Sequence, residues 1–242
     1  MLEKASHSSL VEGVIEQIEK AIVDRTFEPG ERLPSPQDLQ ESLGISRGTL
    51  REALRVLEQK GLIEIKPGVG GGAVVKAVTT EQMSQGLALL IRYQRVSLNH
   101  IAEFRESVEG SVSALAAKRA TKEDIERLKG LLKEAHKHLK EGASHWDAFI
   151  QVDEQLHLAL AHITDNPLYI SIERTVHENI HRYYTKFLPW KETVMRENYQ
   201  DLCDIVAAVE ERDGAQACTL AQRHVHRFHQ HMEKNVQKAQ GT

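Results

Sequence analysis

Val11, Val14, Ile15, Ile18 and Ile22 recur at three- and four-residue intervals, which predicts an amphipathic helix near the start of the chain. A short second helix is predicted from Pro36, with Ser35 suited to the N-cap and Asp38 completing a capping-box pattern. Leu39 and Leu43 share its inner face, and Gly44 ends it where a left-handed residue is wanted. Ile45 suits a buried turn. Ser46 then caps a third helix whose apolar face is Leu50, Ala53, Leu54 and Leu57. Leu62 to Lys66 alternates as a strand does, Pro67 to Gly72 reads as a flexible tip, and Ala73 to Val75 returns as a second strand. Three helices and a Gly-tipped hairpin predict a winged helix-turn-helix over residues 8–76.

Beyond a linker at 77–82 the period stays helical. Segments run from Met83 to Tyr93, from Leu98 to Ala120, onward from Thr121 as cap, and from Ser144 and Asp147 through Ile163. Further segments start at Asn166-Pro167, near Thr193, and at a capping box of Asp213 and Gln216. The fold class predicted is mostly α, with the winged domain followed by an all-α bundle of about seven helices over residues 83–238.

The third helix begins as a helix offered to DNA would. Its N-terminal amides and positive dipole end suit phosphate. Ser46 and Thr49 can donate hydroxyl bonds to phosphate, and Arg47 and Arg51 reach phosphate or the acceptor edge of guanine. Gly48 leaves room for close backbone approach. A wing tipped by glycines, including Gly70, can enter a minor groove with electrostatic support from Lys66. A phosphate loop at Gly70 to Gly72 is excluded, because no Gly-Lys-Ser/Thr follows and the run enters a strand.

In the bundle, Asp153 and His157 are four apart, hence on one helical face, beside Ile150, Leu156 and Leu160. That spacing lets a carboxylate and an imidazole hold one divalent ion, and it equally suits a plain Asp–His pair. His224 extends the set, although Arg223, His226, His229 and His231 also suit a solvated polar end. His177 and His181 are a rival four-apart pair. Arg105, on a mostly apolar helix, either clamps a carboxylate inside the bundle or pairs with Glu106 or Glu109.

The formal net charge of −4 excludes a nonspecific polycation; basic residues are local, at Arg47, Arg51, Arg55, Lys60 and Lys66. Cys203 and Cys218 are too few for a disulfide framework, which suits a reducing cytoplasm. No apolar run approaches a membrane span and no signal-peptide pattern is present, so no membrane partner is expected.

Pro29-Gly30 through Leu33-Pro34-Ser35, Gly44-Ile45-Ser46-Arg47, Leu50-Arg51-Glu52-Ala53-Leu54, Leu57 and Gly61-Leu62-Ile63 resemble the winged-helix domain of GntR-family bacterial regulators. The resemblance implies DNA contacts at Ser46, Arg47, Thr49 and Arg51, and marks Gln37, where the family commonly has arginine, as a changed contact. Glu103-Phe104-Arg105 with Glu109, Leu115-Ala116-Ala117, Asp153 to His157, Asn166-Pro167, and Asp213 with Ala217 and His224 are similar to the FCD-type effector domain of the FadR-like subgroup. Many members hold a divalent metal with an Asp and three His and bind a small carboxylate with an arginine. By that resemblance Asp153, His157 and His224 are metal ligands and Arg105 binds the effector, while Leu202 stands at the fourth ligand position. Neither Asp201 nor Cys203 is expected on the same helical face. Three ligands still suit zinc, nickel or manganese if water or the effector completes the set; otherwise the histidines and Arg105 bind an organic acid directly.

The function expected is a cytoplasmic, ligand-responsive transcriptional repressor, a homodimer on a palindromic double-stranded DNA operator. A metal-dependent hydrolase fused to a DNA-targeting module is the alternative, using Asp153, His157 and His224 to activate water. No general acid or base at a recognisable spacing supports it. A purely architectural DNA protein would have no use for the inward Arg and His set.

Overall fold

Helix α1 (His7–Val23) turns Val11, Val14, Ile15, Ile18 and Ile22 inward, all buried. Helix α2 (Pro36–Leu43) starts where Ser35 accepts the Asp38 amide at 3.2 Å and ends at Gly44, whose φ of 64° needs no Cβ. Helix α3 (Arg47–Gln59) starts at Ser46 and lays Leu50, Ala53 and Leu57 on the same core. Strands β1 (Ile63–Lys66) and β2 (Gly72–Val75) pair antiparallel with Ile63 opposite Val75 and Lys66 opposite Gly72; a bridge from Arg32 to Val74 ties the second strand to the loop before α2. Buried Ile63 and Val75 close the core from the wing side.

The structure, a computed structural model, describes residues 7–68, 71–77, 79–93, 96–188 and 190–240, without the side chains of residues 7, 8, 82, 92, 181–183, 185, 186 and 236–240. It divides into two compact units, Met1–Gln82 and Met83–Thr242.

The second unit is helical. Helix α4 (Glu81–Tyr93) is followed by α5 (Leu98–Arg119), capped by Ser97, and α6 (Lys122–Glu141), whose Thr121–Asp124 capping box is complete. A 3₁₀ turn (Gly142–His145) leads into α7 (Trp146–Ile163). Ser144 lies within that turn, so α7 opens without the side-chain cap expected of it. Asn166 caps α8 (Pro167–Phe187); α9 (Glu192–Glu210) and α10 (Gly214–Gln240) follow, Asp213 accepting the Gln216 amide at 2.9 Å. Helices α5 and α10 pack most extensively. Among the described residues no helix is long and apolar enough to cross a membrane.

The bundle holds two apolar clusters. One gathers Val112, Ala116, Leu156, Leu160, Leu202, Ile205 and Leu220. The other gathers Ile101, Phe149, Ile150, Val176, Ile180, Met195 and Phe228. Helices α5, α7, α9 and α10 each contribute to both, and on each the change of cluster passes through buried polar residues: Arg105 and Glu109, Asp153 and His157, Asn198 and Asp201, and His224. Glu173 and His177 of α8 join this level. A polar layer therefore crosses the middle of the bundle.

Gly44→Ala should cost about 1–2 kcal/mol in urea unfolding of the first unit, because any Cβ is strained in the left-handed region. Gly44→Asn should cost less. Space is not the constraint, since a Cβ at Gly44 meets nothing within 4 Å; equal stability of the alanine variant would contradict the argument.

Candidate functional site

In the first unit the phase of α3 decides which side chains face out. Leu50, Ala53 and Leu57 face in, so Arg47, Gly48 and Arg51 are exposed. Ser46 Oγ accepts the Thr49 amide at 3.1 Å and lies 2.9 Å from Thr49 Oγ1. Thr49 is only 3 % exposed, so its hydroxyl serves the cap and is turned away from the outer face, where a phosphate contact was expected. Gln37 is exposed and donates to Glu41 at 3.2 Å; Lys66 is exposed and 3.7 Å from Glu64. Gly70 lies outside the described residues.

In the second unit, Asp153 and His157 sit one turn apart on α7 with Phe149, Ile150, Leu156 and Leu160 buried around them, so their phase is that of the core. From α10, His224 meets them. The Nε2 atoms of His157 and His224 are 3.2 Å apart; Asp153 Oδ1 is 3.6 Å from His224 Nε2, and Oδ2 is 3.9 Å from His157 Nε2. All three residues are essentially solvent-free.

The far nitrogens are equally informative. His157 Nδ1 lies 3.0 Å from Glu109 Oε2, and His224 Nδ1 lies 3.7 Å from Asp201 Oδ2. Each ring thus backs onto a carboxylate and turns Nε2 to the centre, the orientation metal-ligating histidines take. Donors on one tetrahedral ion with bonds of roughly 2.0–2.1 Å lie about 3.3 Å apart, close to the spacing between these two nitrogens. Asp153 Oδ1 has no hydrogen-bond partner. An unpartnered buried carboxylate oxygen beside two converging imidazoles suits a divalent cation.

Asp201, expected on another face, is buried beside His224; Arg227 donates to its Oδ1 at 2.9 Å. Adjacent residues lie about 100° apart around a helix, so Asp201 turns to His224 of α10 while Leu202 turns to the apolar cluster. Leu202 is fully buried in the apolar cluster with Leu156 and Leu160 and offers no donor.

Arg105 donates from Nε to Glu109 Oε1 at 2.7 Å and from Nη1 to the Tyr184 hydroxyl at 2.9 Å, while Nη2 has no partner. Both expectations for it meet here, an ion pair and an unspent buried donor. His177 Nε2 is 3.3 Å from Glu173 Oε2 and 3.5 Å from Glu109 Oε1, and its ring stacks on His157 at 5.1 Å. The side chain of His181 lies outside the described residues.

Electrostatics separate the two histidines. Burial dominates at His157 and, against the pull of Glu109 and Asp153, lowers its pKa to about 4, leaving a neutral ring with a lone pair to give. At His177 burial also works against charge, but the carboxylates of Glu109 and Glu173 beside Nε2 outweigh it and raise the pKa to about 9. Glu109 feels the same burial, yet Arg105, His157 and His177 hold it well below the usual carboxylate range. Burial pushes Glu173 up.

Spacing did not reveal Glu109 as a backing group, nor Glu173, Asn198 and Asp201. Their only sequence signal is a polar residue in the phase of buried apolar neighbours, as Asn198 stands between Met195 and Leu202. Both amide atoms of Asn198 are buried without partners. With His224, Asp201 and Phe228 it lines a cavity of about 10 Å³, room for an ion or a water and too small for an organic acid.

Residues 100–227 match the FCD domain family, and residues 10–72 match the bacterial regulatory proteins of the gntR family. The chain is 32 % identical over 195 residues to the HTH-type transcriptional regulator LutR of Bacillus subtilis, covering 79 % of this chain and 86 % of that protein. It is 30 % identical over 224 residues to the HTH-type transcriptional repressor NanR of Cronobacter sakazakii, covering 91 % and 84 %. Streptococcus agalactiae GntR superposes with a TM-score of 0.66 over 91 % of this chain and 99 % of that one; at 21 % identity this supports the fold alone. These families and relatives are transcriptional regulators, and the hydrolase alternative finds no support among them.

The raised pKa of His177 makes a stabilising contribution that is full below about pH 6.5, the unfolded value, and is lost as pH rises through about 9. Metal-stripped protein should therefore lose roughly 3 kcal/mol of second-unit stability across that window in urea titrations, and His177→Gln should flatten the loss. Identical slopes in both proteins would contradict the charged His177 pair.

Proposed function

This chain belongs to the GntR family of bacterial regulatory proteins, and on that footing we propose that it is a cytoplasmic, metal-dependent repressor that releases its operator when a small carboxylate binds the second unit. The observation that carries the reading is the convergence of Asp153, His157 and His224, with carboxylates behind both rings and an unspent Arg105 donor at the same level. Asp153, His157 and His224 would hold the ion, which supplies a Lewis-acidic centre for carboxylate oxygens. Zinc, nickel and manganese all suit the donor set. Arg105 presents Nη2 to the effector carboxylate, and its bonds to Glu109 and Tyr184 fix where that donor points.

The cavity beside His224 is too small for an organic acid, so the effector favours a wider state of the bundle. Effector and operator then oppose each other through one conformational equilibrium. On the DNA side, exposed Arg47 and Arg51 reach bases or phosphates, Gly48 permits close approach, and Ser46 with Thr49 orders the helix start. Gln37, Lys66 and Gly70 add contacts along α2 and the wing. One short recognition helix makes few phosphate contacts, so a homodimer on a palindrome supplies the affinity.

Arg47→Ala and Arg51→Ala should each weaken binding to an in vitro selected operator by about 1–3 kcal/mol, and a phosphate contact among them should also reduce the salt slope by about 1. Unchanged affinity in both variants would remove α3 from the interface. Arg105→Lys keeps a cation beside Glu109 but loses the planar fork. It should bind the operator as tightly as wild type while needing at least tenfold more hydroxy acid or sugar acid for release; an unaltered release curve would remove Arg105 from the effector site.

A further inference from the structure

The corner between α6 and α7 gathers a second set of donor atoms, away from the polar layer. His138 and Glu141 lie three apart at the end of α6 and so share a side of the helix. Gly142, with φ of 73°, ends that helix, and the 3₁₀ turn brings His145 back over it. The two imidazoles stack at 5.2 Å with 26° between their planes. Their Nδ1 atoms are 3.0 Å apart, and His145 Nδ1 is 2.7 Å from Glu141 Oε2. All three donor atoms lie within 4.8 Å of one another.

Proton bookkeeping leaves this arrangement short. A neutral imidazole carries one N–H. With its proton on Nε2, the side that faces Glu134 Oε1 at 3.9 Å, His138 leaves Nδ1 bare. One N–H on His145 must then serve both Glu141 and His138. Charging both rings would set two N–H groups head to head. A cation uses all three lone pairs at once.

We propose that His138, Glu141 and His145 form a binding site for a divalent late transition metal, separate from the central set. Donors at right angles on one ion, with bonds of roughly 2.1 Å, lie about 2.9–3.0 Å apart, whereas tetrahedral donors lie about 3.3 Å apart. The 3.0 Å between the two Nδ1 atoms matches the right-angled case, and the 2.7 Å to Glu141 is shorter still and further from the tetrahedral value, so the site favours an octahedral or tetragonal ion, Ni²⁺ or Cu²⁺. His145 and Glu141 are 38 % and 37 % exposed, which leaves the remaining positions to water, while His138 is 14 % exposed and anchors the set. The bound ion clamps the end of α6 to the turn that launches α7, the helix of Asp153 and His157.

The test is titration of metal-stripped full-length protein with NiCl₂, read by calorimetry and by elemental analysis after desalting. Wild type is compared with H138A/H145A and with H157A/H224A. Neither histidine belongs to the apolar clusters, so the pair should be replaced without loss of helicity, and H138A/H145A should bind one equivalent of Ni²⁺ fewer than wild type. Glu141→Gln should weaken that equivalent about tenfold or more, and H157A/H224A should keep it. If the central set binds no metal, wild type shows one equivalent and H138A/H145A none, so the two sites succeed or fail separately. The same Ni²⁺ stoichiometry and affinity in H138A/H145A as in wild type would overturn the site.

Discussion

Burial of ionisable groups at one level of an otherwise apolar bundle is the constraint on which the second unit depends. A carboxylate taken out of water without compensation costs several kcal/mol, enough to offset much of a domain's stability. The bundle answers with a connected set. Arg105 holds Glu109, Glu109 faces His157 and His177, and His177 reaches Glu173. The guanidinium and the charged His177 lie against Glu109, which leaves Asp153, the neutral His157 and His224 facing a common point. There a divalent ion would complete what the side chains leave unmatched. The apolar clusters on either side keep water out and make that completion matter.

The same layer is suited to switching. Its members come from five helices, so any ligand that changes the layer must move helices relative to one another. The unspent donors, Arg105 Nη2 and the Asn198 amide, are buried, and each costs free energy that a bound effector would recover. That difference between the filled and unfilled layer is the quantity a regulator can transmit. Thr49 illustrates a similar economy at the DNA end: its buried hydroxyl fixes the helix start that carries Arg47 and Arg51.

Local features were legible before folding was considered. Ser35, Gly44, Ser46, Thr121 and Asn166 punctuate helices through interactions spanning a few residues, and they do so in the structure. Asp153 and His157 were legible because one helix turn brings them together. The backing carboxylates were not, because Glu109 and Asp201 meet their histidines across sequence separations that no periodicity encodes. Leu202 shows the reverse case. Its apolar character was plain, and the fold places it in the core below the layer, leaving the fourth position without a side-chain donor from that residue.

The central claim is that Asp153, His157 and His224 form a metal-binding set despite Leu202. Elemental mass spectrometry of untagged protein, in the H138A/H145A background so that the peripheral corner contributes nothing, tests it most directly. Close to one divalent ion per chain, lost on adding His157→Ala with helicity retained, is the predicted result. Protein that remains metal-free after incubation with Zn²⁺, Mn²⁺ and Ni²⁺ would contradict the claim and leave the effector to Arg105 and hydrogen bonds.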